Sequence, residues 1–164
     1  MFTYKKASPS NLETIWNDDI CCHPDDQRWE KWKKEYIAYN QEGKATTFVV
    51  LDEKKPIGQL TIIFSPECGA VFNRPLLCDG KHIANMNAFR IKKAYEGQGH
   101  ISKLLKLAEE YAKKKKIKTL TIGVEAKETR NMAIYLHWGF TEFVASEIDH
   151  DEGDALVLYY KKQI

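Results

Sequence analysis

Gly97 and Gly99 are the residues best placed to do chemistry. They lie in the stretch FRIKKAYEGQGHISKLLKLAEEYAKKKK, which runs from Phe89 to Lys116. A short apolar segment leads into them. A helix follows, with Ile101, Leu104, Leu105, Ala108 and Ala112 spaced along one face. A glycine turn that enters a helix aims unpaired backbone N–H groups at one point, and the helix N-terminus adds partial positive charge. Phosphate suits such a site, and glycine permits both positive φ and close backbone approach. A P-loop would end in Gly-Lys-Ser/Thr, whereas this chain reads Gly-Gln-Gly-His-Ile-Ser. A dinucleotide fold would need a third glycine and an early βαβ unit; here the third glycine is missing and the motif falls past mid-chain.

The elements that must position this loop are those of a folded globule. A chain of 164 residues suits one domain, residues 1–164, with a sizeable core. The apolar share of 43% and aromatic share of 12% exclude a disordered chain. The 25 basic and 23 acidic residues leave a net charge of +2, which gives no general case for a nucleic-acid partner. The basic run Lys113 to Lys116 closes a helix, where cations suit the dipole. No apolar run approaches the ~20 residues that cross a bilayer, so no membrane partner is expected. MFTYKKAS lacks the apolar core of a signal peptide. The expected compartment is the cytosol (a cytoplasmic protein), with Cys21, Cys22, Cys68 and Cys78 reduced. Cys21, Cys22 and His23 have poor chelate spacing and no C-x-x-C pair exists, so no metal is expected.

In chain order, Phe2 to Ala7 reads as a strand. Ser10 is the expected N-cap of a first helix over Leu12 to Asp19, with Glu13 as its capping-box partner. A second helix starts at Pro24-Asp25-Asp26 and runs to Tyr39; Trp29, Trp32, Tyr36 and Tyr39 form an aromatic stripe suited to packing. Thr46 to Asp52 and Pro56 to Phe64 read as a hairpin. The long segment Ser65 to Lys81 is a candidate substrate-binding insertion, or else a surface excursion that packs Phe72, Leu76 and Leu77. His82 to Ile91 is the central strand. Lys118 to Glu125 follows the glycine-led helix as a parallel strand through a βαβ crossover. A helix from Lys127 to Trp138 and two strands, Phe140 to Glu147 and Ala155 to Lys161, close the chain.

The loop resembles the acyl-CoA loop of the GNAT acetyltransferases, matching their pattern at Phe89, Ile91, Tyr95, Gly97, Gly99, Leu104 and Leu105. Glu96 stands where that family has a basic residue and Ile101 where it has a last glycine. A second stretch, GVEAKETRNMAIYLHWGFTEF, matches the family's apolar-Tyr-x-x-x-Gly-Phe at Ile134, Tyr135, Gly139 and Phe140. The family commonly has an asparagine seven residues before this tyrosine. Glu128 is there instead, and Asn131 lies one helical turn before Tyr135. The element order βααβββαβαββ is that of the GNAT fold throughout. The resemblance therefore implies an α/β (α+β) fold with a mixed central sheet and a V-shaped splay between its two central parallel strands.

The resemblance further implies transfer of an acetyl group from acetyl-CoA to a primary amine. The pantetheine arm would bond to backbone at Phe89, Arg90 and Ile91. The amides of Gly97, Gln98, Gly99, His100, Ile101 and Ser102 would hold the pyrophosphate. Asn131 is a secondary contact for the pantetheine, and Tyr135 inherits the role of the acid that protonates the departing thiolate. The amine must be neutral to attack, and a lysine-like amine has a reference pKa of about 10.4, so a base is needed. Glu125 at the end of its strand is the candidate, with a carboxylate acting through water as the alternative; no constellation supports His82, His137 or His150. Asn85 and Asn87 can orient substrate, and strand parity puts them on one face with Phe89.

Acceptor choice has one hint. Asp18, Asp19, Asp25 and Asp26 cluster near the first helix pair, and Asp149, Asp151, Glu152 and Asp154 in the last turn. Acidic walls favour cationic amines. The expected acceptor is a small-molecule amine. The alternatives are a protein or peptide N-acetyltransferase and a non-catalytic acyl-CoA-binding sensor, which Glu96 and Glu128 keep open. The resemblance also allows a homodimer.

Overall fold

The computed structural model describes residues 1–164. Its elements are β1 (Phe2–Lys6), α1 (Pro9–Cys22), α2 (Arg28–Gln41), β2 (Ala45–Asp52), β3 (Lys55–Ile63), β4 (Ile83–Ile91), α3 (His100–Lys114), β5 (Thr119–Glu125), α4 (Thr129–His137), β6 (Glu142–Asp149) and β7 (Ala155–Gln163). This is the expected order. The seven strands form a mixed sheet in the order β1-β2-β3-β4-β5-β7-β6. β4 and β5 are parallel, with Ile83, Ala84 and Asn85 opposite Thr119, Leu120 and Thr121. Two compact units divide the chain: Met1–Ile63 with Ala88–Tyr111, and Phe64–Asn87 with Ala112–Ile164.

In the first unit, β1, β2 and β3 form an antiparallel meander. Alternation along β2 sends neighbouring side chains to opposite faces. Phe48 meets the Tyr111 ring of α3 edge-on, with ring centroids 5.4 Å apart. Thr47, next along, bonds to Thr61 of β3 at 2.7 Å and to Asn40 of α2 at 2.9 Å. Asn40 also accepts the Thr47 backbone N–H at 2.8 Å, so one side chain docks α2 on the sheet. Leu12, Ile15, Trp16 and Tyr36 bury the contact between α1 and α2, and Trp29, Trp32 and Tyr39 pack against them. The aromatic stripe is packing.

Two helix starts differ from expectation. α1 begins at Pro9, not Leu12, and its N-cap is Ser8 rather than Ser10. Ser8 Oγ accepts the Asn11 N–H at 3.2 Å, and Asn11 Oδ1 accepts the Ser8 N–H at 3.1 Å. Proline at the first helical position sets the register, because its ring fixes φ and it has no N–H to leave unpaired. α2 begins at Arg28, not Pro24. There Asp26 Oδ1 takes both the Arg28 N–H (3.1 Å) and its Nε (2.9 Å), which ends the turn and opens the helix.

In the second unit, β5, β7 and β6 are antiparallel neighbours. The segment between β3 and β4 is anchored at four buried residues. Cys68, Val71, Leu77 and Cys78 are buried, whereas Phe72 and Leu76, expected to pack, are exposed. Thr121 of β5 donates to the Leu77 carbonyl at 2.7 Å, and Arg74 Nε reaches Glu147 of β6 at 2.8 Å. Asp79 Oδ1 accepts the N–H groups of Lys81, His82 and Ile83, each at 2.8 Å, and so turns the segment into β4.

Candidate active site

The loop between β4 and α3 has the geometry of an anion cradle. Gly97 has φ +72° and Gly99 φ +76°, values that a side chain rarely adopts. A Cβ built on either meets no atom within 4 Å, so the space before the backbone is open. Gly99 is the N-cap of α3, because its carbonyl accepts the Lys103 N–H at 3.2 Å. The N–H groups of His100, Ile101 and Ser102 thus have no carbonyl one turn back within the helix. Six candidate residues, Gly97 to Ser102, are brought together here. Glu96 is exposed, and Ile101 is half-buried.

Long-range bonds hold the loop. Tyr95 donates to Asp52 Oδ2 at 3.0 Å, and the bond to this anion raises the phenol pKa. His100 Nδ1 pairs with the Tyr4 hydroxyl at 2.7 Å. The Lys92 N–H donates to the Ile57 carbonyl at 2.8 Å. The residue types at 95 and 100 gave no sequence signal of these ties, because the partners are forty to a hundred positions away.

Phe89, Arg90 and Ile91 end β4 and are half-buried. Ala88, just before them, has φ +45°. That value interrupts the extended backbone, so strand parity does not carry from Asn87 to Phe89. Asn85 and Asn87 do share a face, since Asn87 Nδ2 donates to Asn85 Oδ1 at 3.2 Å. Asn85 is buried and donates to Thr121 Oγ1 at 2.9 Å, which makes it a structural residue of the sheet. The Arg90 guanidinium lies 4.6 Å above the Trp16 ring and 5.0 Å above that of Trp29.

Tyr135, Asn131 and Glu125 belong to the second unit. The spacing Tyr-x-x-x-Gly-Phe is that of a Schellman cap at the end of α4. The Phe140 N–H donates to the Tyr135 carbonyl at 3.1 Å and the Gly139 N–H to the Leu136 carbonyl at 3.0 Å. Gly139 takes φ +94° to allow this, and Phe140 is fully buried. The cap fixes Tyr135, which is 8% exposed and stacks on Trp138 with centroids 6.0 Å apart. Burial pushes the Tyr135 phenol well above its ordinary range, and the nearby Glu128 charge adds to the effect. Asn131, a turn earlier, is exposed. Glu125 ends β5. Its Oε2 is shielded from solvent and lies 2.9 Å from Lys127 Nζ, off the direction of a good hydrogen bond, so the contact is ionic.

Much of the first acidic cluster is ion-paired. Asp19 pairs with Arg90 at 2.6 Å, Asp18 with Lys92, and Asp26 with Arg28 at 2.7 Å. The hydrogen bond from Arg28 holds the Asp26 carboxyl at about 2. In the last turn, Asp149 Oδ1 accepts the Asp151 N–H at 3.0 Å, and Asp154 pairs with His150. Asp18, Asp19 and Asp26 thus neutralise neighbouring cations, and Asp149 caps its turn. At Asp18, Asp19 and Asp26 the hint of a cationic acceptor loses its basis.

Residues 11–140 match the model of the acetyltransferase (GNAT) family. No curated protein matches by sequence. Among solved structures, the ribosomal-protein-S18-alanine N-acetyltransferase of Escherichia coli is similar at TM-score 0.74 and 16% identity, over 100% of this chain and 94% of that one. A spermidine N-acetyltransferase SpeG chimera from Vibrio cholerae and hSSAT is similar at TM-score 0.71 and 16% identity, over 98% and 95%. An acetyltransferase of Bacillus anthracis in complex with acetyl coenzyme A is similar at TM-score 0.57 and 14% identity, over 74% and 63%. At these identities the likeness is one of fold.

Proposed function

For a chain that belongs to the acetyltransferase (GNAT) family, we propose transfer of an acetyl group from acetyl-CoA to the primary amine of a small molecule. The observation that carries this is the cradle at Gly97 and Gly99, with positive φ at both glycines and open space before them. In this reading the amides of Gly97, Gln98, Gly99, His100, Ile101 and Ser102 bind the pyrophosphate. Phe89, Arg90 and Ile91 offer backbone groups to the pantetheine arm, and Asn131 adds a contact to it. The 1–164 chain acts as one domain, in the cytosol.

The chemistry follows from the groups. Glu125 takes a proton from the ammonium, directly or through water. The freed lone pair attacks the thioester carbonyl, the C–N bond forms, and the C–S bond breaks. The thiolate receives a proton from Tyr135, and the proton that the new amide nitrogen sheds restores the phenol, directly or through water. Because burial raises the phenol, it keeps its proton throughout the neutral range and donates a hydrogen bond to sulfur before any transfer.

A second reading takes a protein or peptide acceptor. Exposed Phe72 and Leu76, on a segment anchored by buried neighbours, favour it. Named acceptors among the similar folds fall on both sides, a ribosomal-protein alanine and spermidine. The test is thiol release from acetyl-CoA across a panel of small amines and of peptides with free N-termini. Turnover confined to small amines supports the first reading. Turnover confined to peptides replaces it with the second.

A further inference from the structure

His100 is the least expected residue of the cradle. It opens α3, yet its side chain is 3% exposed. It turns inward among three aromatic rings. Phe2 meets it edge-on with centroids 4.5 Å apart, Tyr4 at 6.0 Å and Tyr95 at 6.3 Å. Nδ1 is bonded to the Tyr4 hydroxyl at 2.7 Å, and Nε2 is buried with no hydrogen-bond partner. We propose that His100 is a positioning residue for the anion cradle: as a neutral imidazole bonded to Tyr4, it ties the first turn of α3 to β1 and holds the loop amides in place. The inference rests on the acetyl-CoA reading above for what the cradle binds.

The neutral state follows from the surroundings. A neutral ring satisfies one nitrogen through Tyr4 and leaves one uncharged nitrogen buried. An imidazolium would bury the unpaired Nε2–H together with a full charge. The charged and titratable groups that face the ring are Tyr4 of β1, Asp52 of β2, Tyr95 before the glycines and Lys103 of α3. Asp52 is the only one of these that would favour a cation, and it already accepts from Tyr95. The helix N-terminus also opposes a positive charge at this position. Burial, then Lys103, lowers the His100 pKa below its ordinary value. With the folded value depressed, the stabilisation is present above the unfolded value of about 6.5 and is lost as pH falls through the folded one.

A buried position at the start of a helix needs no histidine for packing alone; leucine would fill the same space. The tie to Tyr4 is what distinguishes the two. The test uses the full chain, with Tyr4→Phe, which removes one hydroxyl, and His100→Leu, which keeps the packing. Amide hydrogen exchange is followed in the free protein, and acetyl-CoA binding by calorimetry from about pH 7.5 to about pH 5.5, a range spanning the usual histidine value. Both variants should exchange the amides of residues 103–105, the first hydrogen-bonded turn of α3, whose acceptors begin with the Gly99 carbonyl, about fivefold faster and bind acetyl-CoA about fivefold more weakly, the size of one lost hydrogen bond, with exchange in β7 unchanged. Wild-type affinity should fall more steeply toward low pH than that of His100→Leu. Wild-type exchange at 103–105 in Tyr4→Phe, or parallel pH dependence in wild type and His100→Leu, would overturn the proposal. If acetyl-CoA does not bind the wild type, the cofactor reading fails, and the exchange rates still decide whether His100 positions the loop.

Discussion

Asp19 accepts two hydrogen bonds from one guanidinium, at 3.1 Å from Arg90 Nε and 2.6 Å from its Nη2. The same guanidinium is covered by the rings of Trp16 and Trp29. An arginine on a strand is thereby locked to the end of α1 and the start of α2. Asp19→Asn removes the charge and leaves Arg90 among the rings without its anion. The expected cost is about 1–3 kcal/mol, read as a lower melting temperature. Because Asp19 is already paired, the variant should leave the salt dependence of amine turnover as it is in the wild type. A variant that lost salt dependence would show that Asp19 attracts the acceptor after all.

Gly99→Val tests the cradle itself. A branched side chain at φ +76° is strained by about 1–2 kcal/mol and fills the open space before the backbone. Acetyl-CoA affinity should fall by more than about tenfold, beyond what that strain does to melting. Equal affinity in wild type and variant would remove the loop from the binding site.

Tyr135→Phe separates binding from chemistry. Acetyl-CoA affinity should stay near that of the wild type while turnover falls by about a hundredfold, within the usual range for a general acid. Unchanged turnover would take the acid's role away from Tyr135.

The same residue gives a pH prediction. Its folded pKa lies above the unfolded value of about 10. A raised value means that the folded state holds the proton more tightly. The stabilisation is full below about pH 10 and is lost as pH rises from there through the folded value. Alkaline unfolding measured by circular dichroism should therefore have a component that Tyr135→Phe removes. No alkaline loss of turnover below about pH 10 should trace to this phenol.

Asp79→Ala should destabilise the protein by about 1–3 kcal/mol, since three backbone N–H groups lose their acceptor. Asp79→Asn keeps the accepting oxygen and should recover much of the loss. Equal melting of all three proteins would mean that water replaces the carboxylate at no cost.

Local chemistry is what the sequence made legible. The glycine pair before an amphipathic helix corresponds to one backbone geometry, and the turn of positive φ and the helix it announces are both present. The element order followed from apolar periodicity and turn residues. Choices between near-equal local signals did not: Ser8 and Ser10 both suit an N-cap, and Pro9 decides between them through its ring. Pairings over long separations were also hidden. Nothing near Asp19 announces Arg90, and nothing near His100 announces Tyr4, so part of an apparent acidic wall, Asp18, Asp19 and Asp26, proved to be ion-paired. The positive φ at Ala88 has no residue-type signal at all, because alanine does not favour it.

The most direct test of the account is calorimetric titration of the purified protein with acetyl-CoA, beside Gly99→Val. Micromolar binding by the wild type, lost in the variant, is the predicted result and would establish the cofactor at the Gly97–Ser102 cradle. Absence of binding by a folded wild-type protein would contradict it: Glu96 and Ile101 would then have disabled the loop, and the fold would remain without the acetyl transfer proposed for it.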